Sequence, residues 1–108
     1  MTDFDAWFAN VEKDAADDPR GQEFQSNNFS VQHMGGGCLA WQRHVDDHSW
    51  VLITDMGGTD LFPDENAADE LERGYIVGYY WNDGDDWDDC KHASTVTEAI
   101  AIADSIQS

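Results

Sequence analysis

The hydrophobic period of this chain changes twice, and those two changes bound the folds open to it. Phe4, Trp7, Phe8, Val11 and Ala15 recur at helical spacing behind Thr2, Asp3 and Asp5, residue types that suit a helix N-terminus. The pattern predicts an amphipathic helix of about three turns, closed by "DDPRG". From Gln22 the period shifts to two, with Phe29, Val31 and His33 on one face of a strand that "GGG" at 35–37 breaks. "CLAWQRHV" then sets Leu39, Trp41, Arg43 and Val45 against Cys38, Ala40, Gln42 and His44. "DDH" turns the chain, and "SWVLITD" forms the other arm of a hairpin.

"MGGTDLFPDENAADELERG" is turn-rich and then acidic, so a long exposed connection is expected there, with a short helical piece starting near Pro63 and Asp64. "YIVGYYWN" is rich in Ile, Val and aromatic residues and reads as a strand ended by "NDGDD", with "WDDCKHA" returning antiparallel to it. The second change of period comes at Thr95. Thr95 and Glu98 have the spacing of a capping box ahead of Ala99, Ile100, Ala103 and Ile106, and the small alanine face should lie close against a sheet. The order helix, strands, helix predicts an α+β fold. One domain over residues 1–108 holds an antiparallel four- to five-stranded meander sheet, flanked by an N-terminal and a C-terminal helix on one face.

Composition supports a folded chain with an unusual surface. At 108 residues, 41% hydrophobic and with five tryptophans, it has enough apolar material for one core. Its 23 acids, 17 of them aspartate, stand against five bases, for a net charge of −18. A field of that sign steers cationic partners in and keeps anionic ones away, so direct binding to nucleic acid or to an anionic membrane is disfavoured. The start "MTDFDAWF" has no basic residues ahead of an apolar run, and no stretch is long enough to span a bilayer. A soluble cytoplasmic protein is the expectation. Cys38 and Cys90 form no CxxC pair and are expected to be reduced thiols, with a disulfide between them open only if their strands bring them close.

Several chemistries fail on spacing. Around Gly84 the alternating oxygen ligands of a calcium loop are missing, and the position for the closing glutamate holds Cys90. Cys90 and His92 point to the same face of a strand, which is half a zinc signal. Cys38, His44 and His48 would have to complete it. The same Cys and His lack the local frame of a nucleophilic enzyme. "GGG" is followed by no Gly-Lys-Ser/Thr and is not a phosphate loop. With so many carboxylates, a pair at catalytic distance carries no information. No catalytic residue, metal ligand or cofactor is therefore assigned.

The distribution of charge is more informative than its total. Residues 21–45 contain one acid, Glu23, whereas residues 46–89 contain fourteen acids and one base, Arg73. A halophilic surface would be acidified throughout, so the contrast points to an acidic side. "VDDH", "DLFPDENAADELE" and "NDGDDWDD" fall in turns that could gather at one edge of the sheet and, with Asp14, Asp17 and Asp18, form rows of carboxylates resembling a phosphate track. The candidate partner-binding residues are Asp83, Asp85, Asp86, Asp88 and Asp89 with Trp87, then Asp46, Asp47, Glu70 and Glu72. Tyr79, Tyr80 and Trp81 stand beside them as candidate apolar anchors, half of which alternation sends to the core.

The short length, the −18 charge, the strand region "GYIVGYYWNDGDDW" and the capped "TVTEAIAIAD" helix make the chain resemble, as a class, small acidic proteins of phages and mobile elements. These include DNA-mimic inhibitors and anti-CRISPR proteins. The resemblance implies a non-enzymatic inhibitor in the host cytoplasm, bound to the basic surface of a nucleic-acid-handling complex. The alternatives are an acidic structural or regulatory protein of a halophile, or a small metal protein or enzyme using Cys90 and His92.

Overall fold

Trp41 is the centre around which the chain closes. In the computed structural model, which describes residues 3–35, 38–56, 60–63, 66, 68, 73–82, 85–87 and 90–107, its side chain has no exposed surface. It stacks on Phe24 at 4.8 Å between ring centroids, and its indole N–H donates to the Leu61 carbonyl at 3.2 Å. The sheet that carries it is the expected antiparallel meander. Strands β1 (Ser30–Gly35), β2 (Cys38–Asp46), β3 (Ser49–Asp55) and β4 (Tyr75–Trp81) pair in chain order. The fifth position is split between β5 (Asp86–Trp87) and β6 (Lys91–Ala93), which pair with the end and the start of β4 respectively.

The pairing sorts the side chains into two faces. Val31 lies opposite Trp41, Trp41 opposite Ile53, Ile53 opposite Val77, and Tyr75 opposite Ala93, and all of these are buried. Ala15 of α1 (Asp3–Asp17), Phe24 of α2 (Pro19–Ser26) and Val96, Ala99, Ile100 and Ala103 of α3 (Val96–Gln107) complete the same core. All three helices therefore cover one face. The fully buried Ala99 and Ala103 give α3 the flat side on which it lies close to β4 and β6.

The first helix runs for 15 residues, a turn longer than its apolar spacing predicts, and closes in "DDPRG" as expected, but that segment does not end the helical region. It starts α2. Asp18 accepts a hydrogen bond from the Arg20 backbone N–H at 2.8 Å as the N-cap, and Pro19 fills the first turn, where its missing N–H costs nothing. The exit from α2 is a Schellman motif. Asn28 takes φ 72°, its N–H reaches Gln25 O, the Phe29 N–H reaches Phe24 O, and the Phe24 and Phe29 rings meet edge to face. The period-two segment thus begins at Ser30, not at Gln22.

The connection after β3 is not wholly exposed. Leu61 is buried beneath Trp41, and Asp60 exchanges hydrogen bonds with Asp55. Most of the helical piece expected from Asp64 onward lies outside the described residues. The capping box forms, with the Glu98 N–H donating to Thr95 Oγ1 at 3.1 Å and the Ser94 N–H donating to Glu98 Oε1 at 3.2 Å. No helix among the described residues is long and apolar enough to cross a membrane.

The Asp18–Arg20 pair gives the fold a pH dependence. The Arg20 guanidinium donates to both Asp18 carboxylate oxygens, at 3.1 and 2.9 Å, and holds that carboxyl below its usual value. A depressed folded-state value means that the pair stabilises the fold at neutral pH and is lost as pH falls below about 4. Urea unfolding at pH 6 and pH 3 should show Asp18→Asn losing less stability on acidification than the wild type. The difference should be under about 1 kcal/mol, because the pair is partly solvated.

Candidate partner-binding site

A meander reverses direction at every turn, so alternate hairpin tips point the same way. The β2–β3 tip carries Asp46 and Asp47, the β4–β5 tip carries Asp85 and Asp86, and both stand at one end of the sheet. The register fixes their adjacency. Trp50, just after the first tip, lies opposite Tyr80, just before the second. Asp46, His48 and Ser49 from one turn and Tyr79, Trp81 and Asn82 from the other line a single shallow groove. With neighbouring strands about 4.8 Å apart, the centres of the two tips are separated by roughly 10 Å, about one Debye length at 0.1 M salt. Their fields therefore add.

Each turn is held by its own side chains. Asp46 Oδ1 accepts from the Ser49 hydroxyl at 2.6 Å and from the His48 backbone N–H at 2.8 Å, and these two bonds hold its carboxyl below the ordinary value. Asp46 thus stays ionised while it shapes the turn, and Asp47 at the tip is exposed. In the second turn Asn82 adopts φ 56°, a left-handed conformation that asparagine tolerates well. Its carbonyl accepts from the Asp85 N–H at 3.1 Å, and its amide donates to Asp86 Oδ2 at 3.2 Å. Asp85 and Asp86 are both exposed. The ion pairs of Arg20 with Asp18 and of Arg43 with Asp104 on α3 lie away from both tips.

Five of the candidates, Asp83, Asp88, Asp89, Glu70 and Glu72, lie outside the described residues. Asp46, Asp47, Asp85 and Asp86 come together, and Trp87 stands beside them, opposite Tyr80 and 62% exposed. Asp14 and Asp18 do not join this group. They share a groove with Leu39 and Asp60 at the start of β2, and seven residues of strand at about 3.3 Å each put them roughly 20 Å from Asp46. Of the carboxylates expected to form rows, Asp14 and Asp18 thus stand at the opposite end of the sheet from the two tips. Of the aromatic candidates, Tyr79 packs against the core, Trp81 leans on Tyr79 at 5.3 Å, and Tyr80 projects from the other face.

Cys90 is an exposed free thiol near Tyr80, whose phenol pKa is pushed up by burial and then by the proximity of Cys90. Cys38 is also a free thiol. Among the described residues no three of His, Cys, Asp or Glu gather closely enough to hold a metal ion. No family model, curated protein or solved structure matches this chain.

Proposed function

We propose that the protein is a non-enzymatic acidic inhibitor that binds the basic, nucleic-acid-binding surface of a host protein complex, such as a CRISPR effector, in the cytoplasm. The observation that carries this reading is the side-by-side placement of the two acidic turns at one end of the sheet. Neighbouring carboxylates whose fields overlap attract a lysine- and arginine-lined channel more strongly than isolated ones, and the pinned geometry of both turns lowers the ordering cost on binding. The net charge of −18 speeds encounter with such a surface and repels the nucleic acid that competes for it.

Asp47, Asp85 and Asp86 changed together to Asn preserve shape while removing three charges. Asp46 is left in place because it holds its turn through two accepted hydrogen bonds, whereas Asp86→Asn keeps an amide oxygen to accept the one bond from Asn82. Against the basic protein recovered from the host on the immobilised chain and then purified, calorimetry should show affinity about thirtyfold weaker, near 0.7 kcal/mol per rim charge. Unchanged affinity would remove the acidic turns from the interface.

A further inference from the structure

We infer that the sheet face opposite the helices is a second part of the interface, an apolar platform that docks on a cationic protein surface carrying apolar side chains among its lysines and arginines. The inference rests on the function proposed above and deepens it.

Among the described residues the core cluster draws on one face of the sheet. By register the other face presents Trp50, Leu52, Ile76, Tyr80 and Trp87, with Gln42, His44 and His92 opposite Leu52, Trp50 and Ile76. A groove of about 180 Å³ runs across it, lined by strand residues and Cys90 with no helix residue among them. Ala40 and Thr54 are buried in its floor. Trp50, Leu52, Ile76 and Tyr80 are partly exposed and Trp87 mostly so.

The sequence of the two central strands carries the same message. A strand with one face in water alternates apolar and polar residues, whereas one covered on both faces reads as a nearly continuous apolar run. "WVLI" in β3 and "YIVGYYW" in β4 are of the second kind.

Charge selects the occupant. None of the five lysines and arginines lies on this face. Lys13 and Arg20 are on helices, Arg73 lines a groove with Arg20 and Tyr75, and Arg43 and Lys91 share the helix-side face with Val51 and Val77. The acidic turns bound one end of the platform. A second copy would bring two chains of −18 face to face, and nucleic acid would meet the same repulsion. A basic protein meets neither obstacle. An apolar centre depleted of charge with a charged rim is the usual anatomy of a protein interface.

Two fluorescent peptides of equal positive charge test this, one alternating arginine with leucine and one alternating arginine with glycine. In about 0.1 M salt, where charges beyond roughly 10 Å are screened, the leucine peptide should bind about tenfold more tightly. Trp87→Ala and Leu52→Gln should each reduce that advantage, and Trp7→Ala, at the other exposed tryptophan, should keep it. Circular dichroism confirms that each variant is folded, and Trp87→Ala, at an exposed site, secures the test if Leu52→Gln does not fold. Equal binding of the two peptides overturns this inference alone. Failure of both to bind overturns the proposed function with it. Self-association of the free protein that Trp87→Ala abolishes would overturn the inference in favour of a second copy covering the face.

Discussion

Trp41→Ala should lower the free energy of unfolding by about 4 kcal/mol, read from the urea midpoint by circular dichroism. A small domain has only about 5–15 kcal/mol to lose, so the variant should stand close to unfolded at 37 °C. The loss has two parts. The indole is fully buried between Phe24 and the Phe62 ring, so its removal leaves a cavity bounded by α2, the sheet and the segment around Leu61. The Leu61 carbonyl also loses its indole donor, and an unpaired buried acceptor adds about 1–3 kcal/mol unless water reaches it. Trp41→Phe should recover part of the packing and none of the hydrogen bond. A cost below about 1 kcal/mol for Trp41→Ala would contradict a core centred on this residue.

Gly21→Ala sets two effects of opposite sign against each other. In an exposed helix, alanine in place of glycine stabilises by about 1 kcal/mol. Here an added Cβ would lie 1.9 Å from the Ala15 carbonyl oxygen, a backbone atom of α1. The chain would have to open the corner between the two helices, and such overpacking costs about 1–3 kcal/mol or more. The clash should win, giving a net loss of about 2 kcal/mol with faster hydrogen exchange in α1. Stabilisation by Gly21→Ala would mean that the two helices do not meet so closely.

The same residue shows where the sequence was opaque. Pro19 and Gly21 read as a helix stop because proline and glycine break helices in isolation. Here Pro19 occupies the first turn and Gly21 a close contact with a segment that is not adjacent in the period. The Asn27–Asn28 pair ahead of Phe29 was the available sign of a helix end. By contrast, the strand of Trp41 was legible because its side chains alternate at period two, those of Ile53 and Val77 because β-branched and aromatic runs are bounded by turn sequences, and α3 was legible from Thr95 and Glu98.

The candidate site was legible in part. Once a meander is accepted, the tips bearing Asp47 and Asp85 must share an end, which follows from strand alternation alone. The separation of Asp14 and Asp18 from them depends on the path of α1 across the sheet, and no local pattern encodes that. The open face was signalled by Leu52 and Ile76 standing where a solvated strand would place polar residues.

The most direct test of the central claim is competition. The basic protein recovered from the host is saturated with fluorescent duplex DNA, and this protein is titrated in while anisotropy is followed. Complete release of the DNA is expected, with a midpoint that rises in proportion to the DNA concentration. A ternary complex in which the DNA stays bound would contradict it.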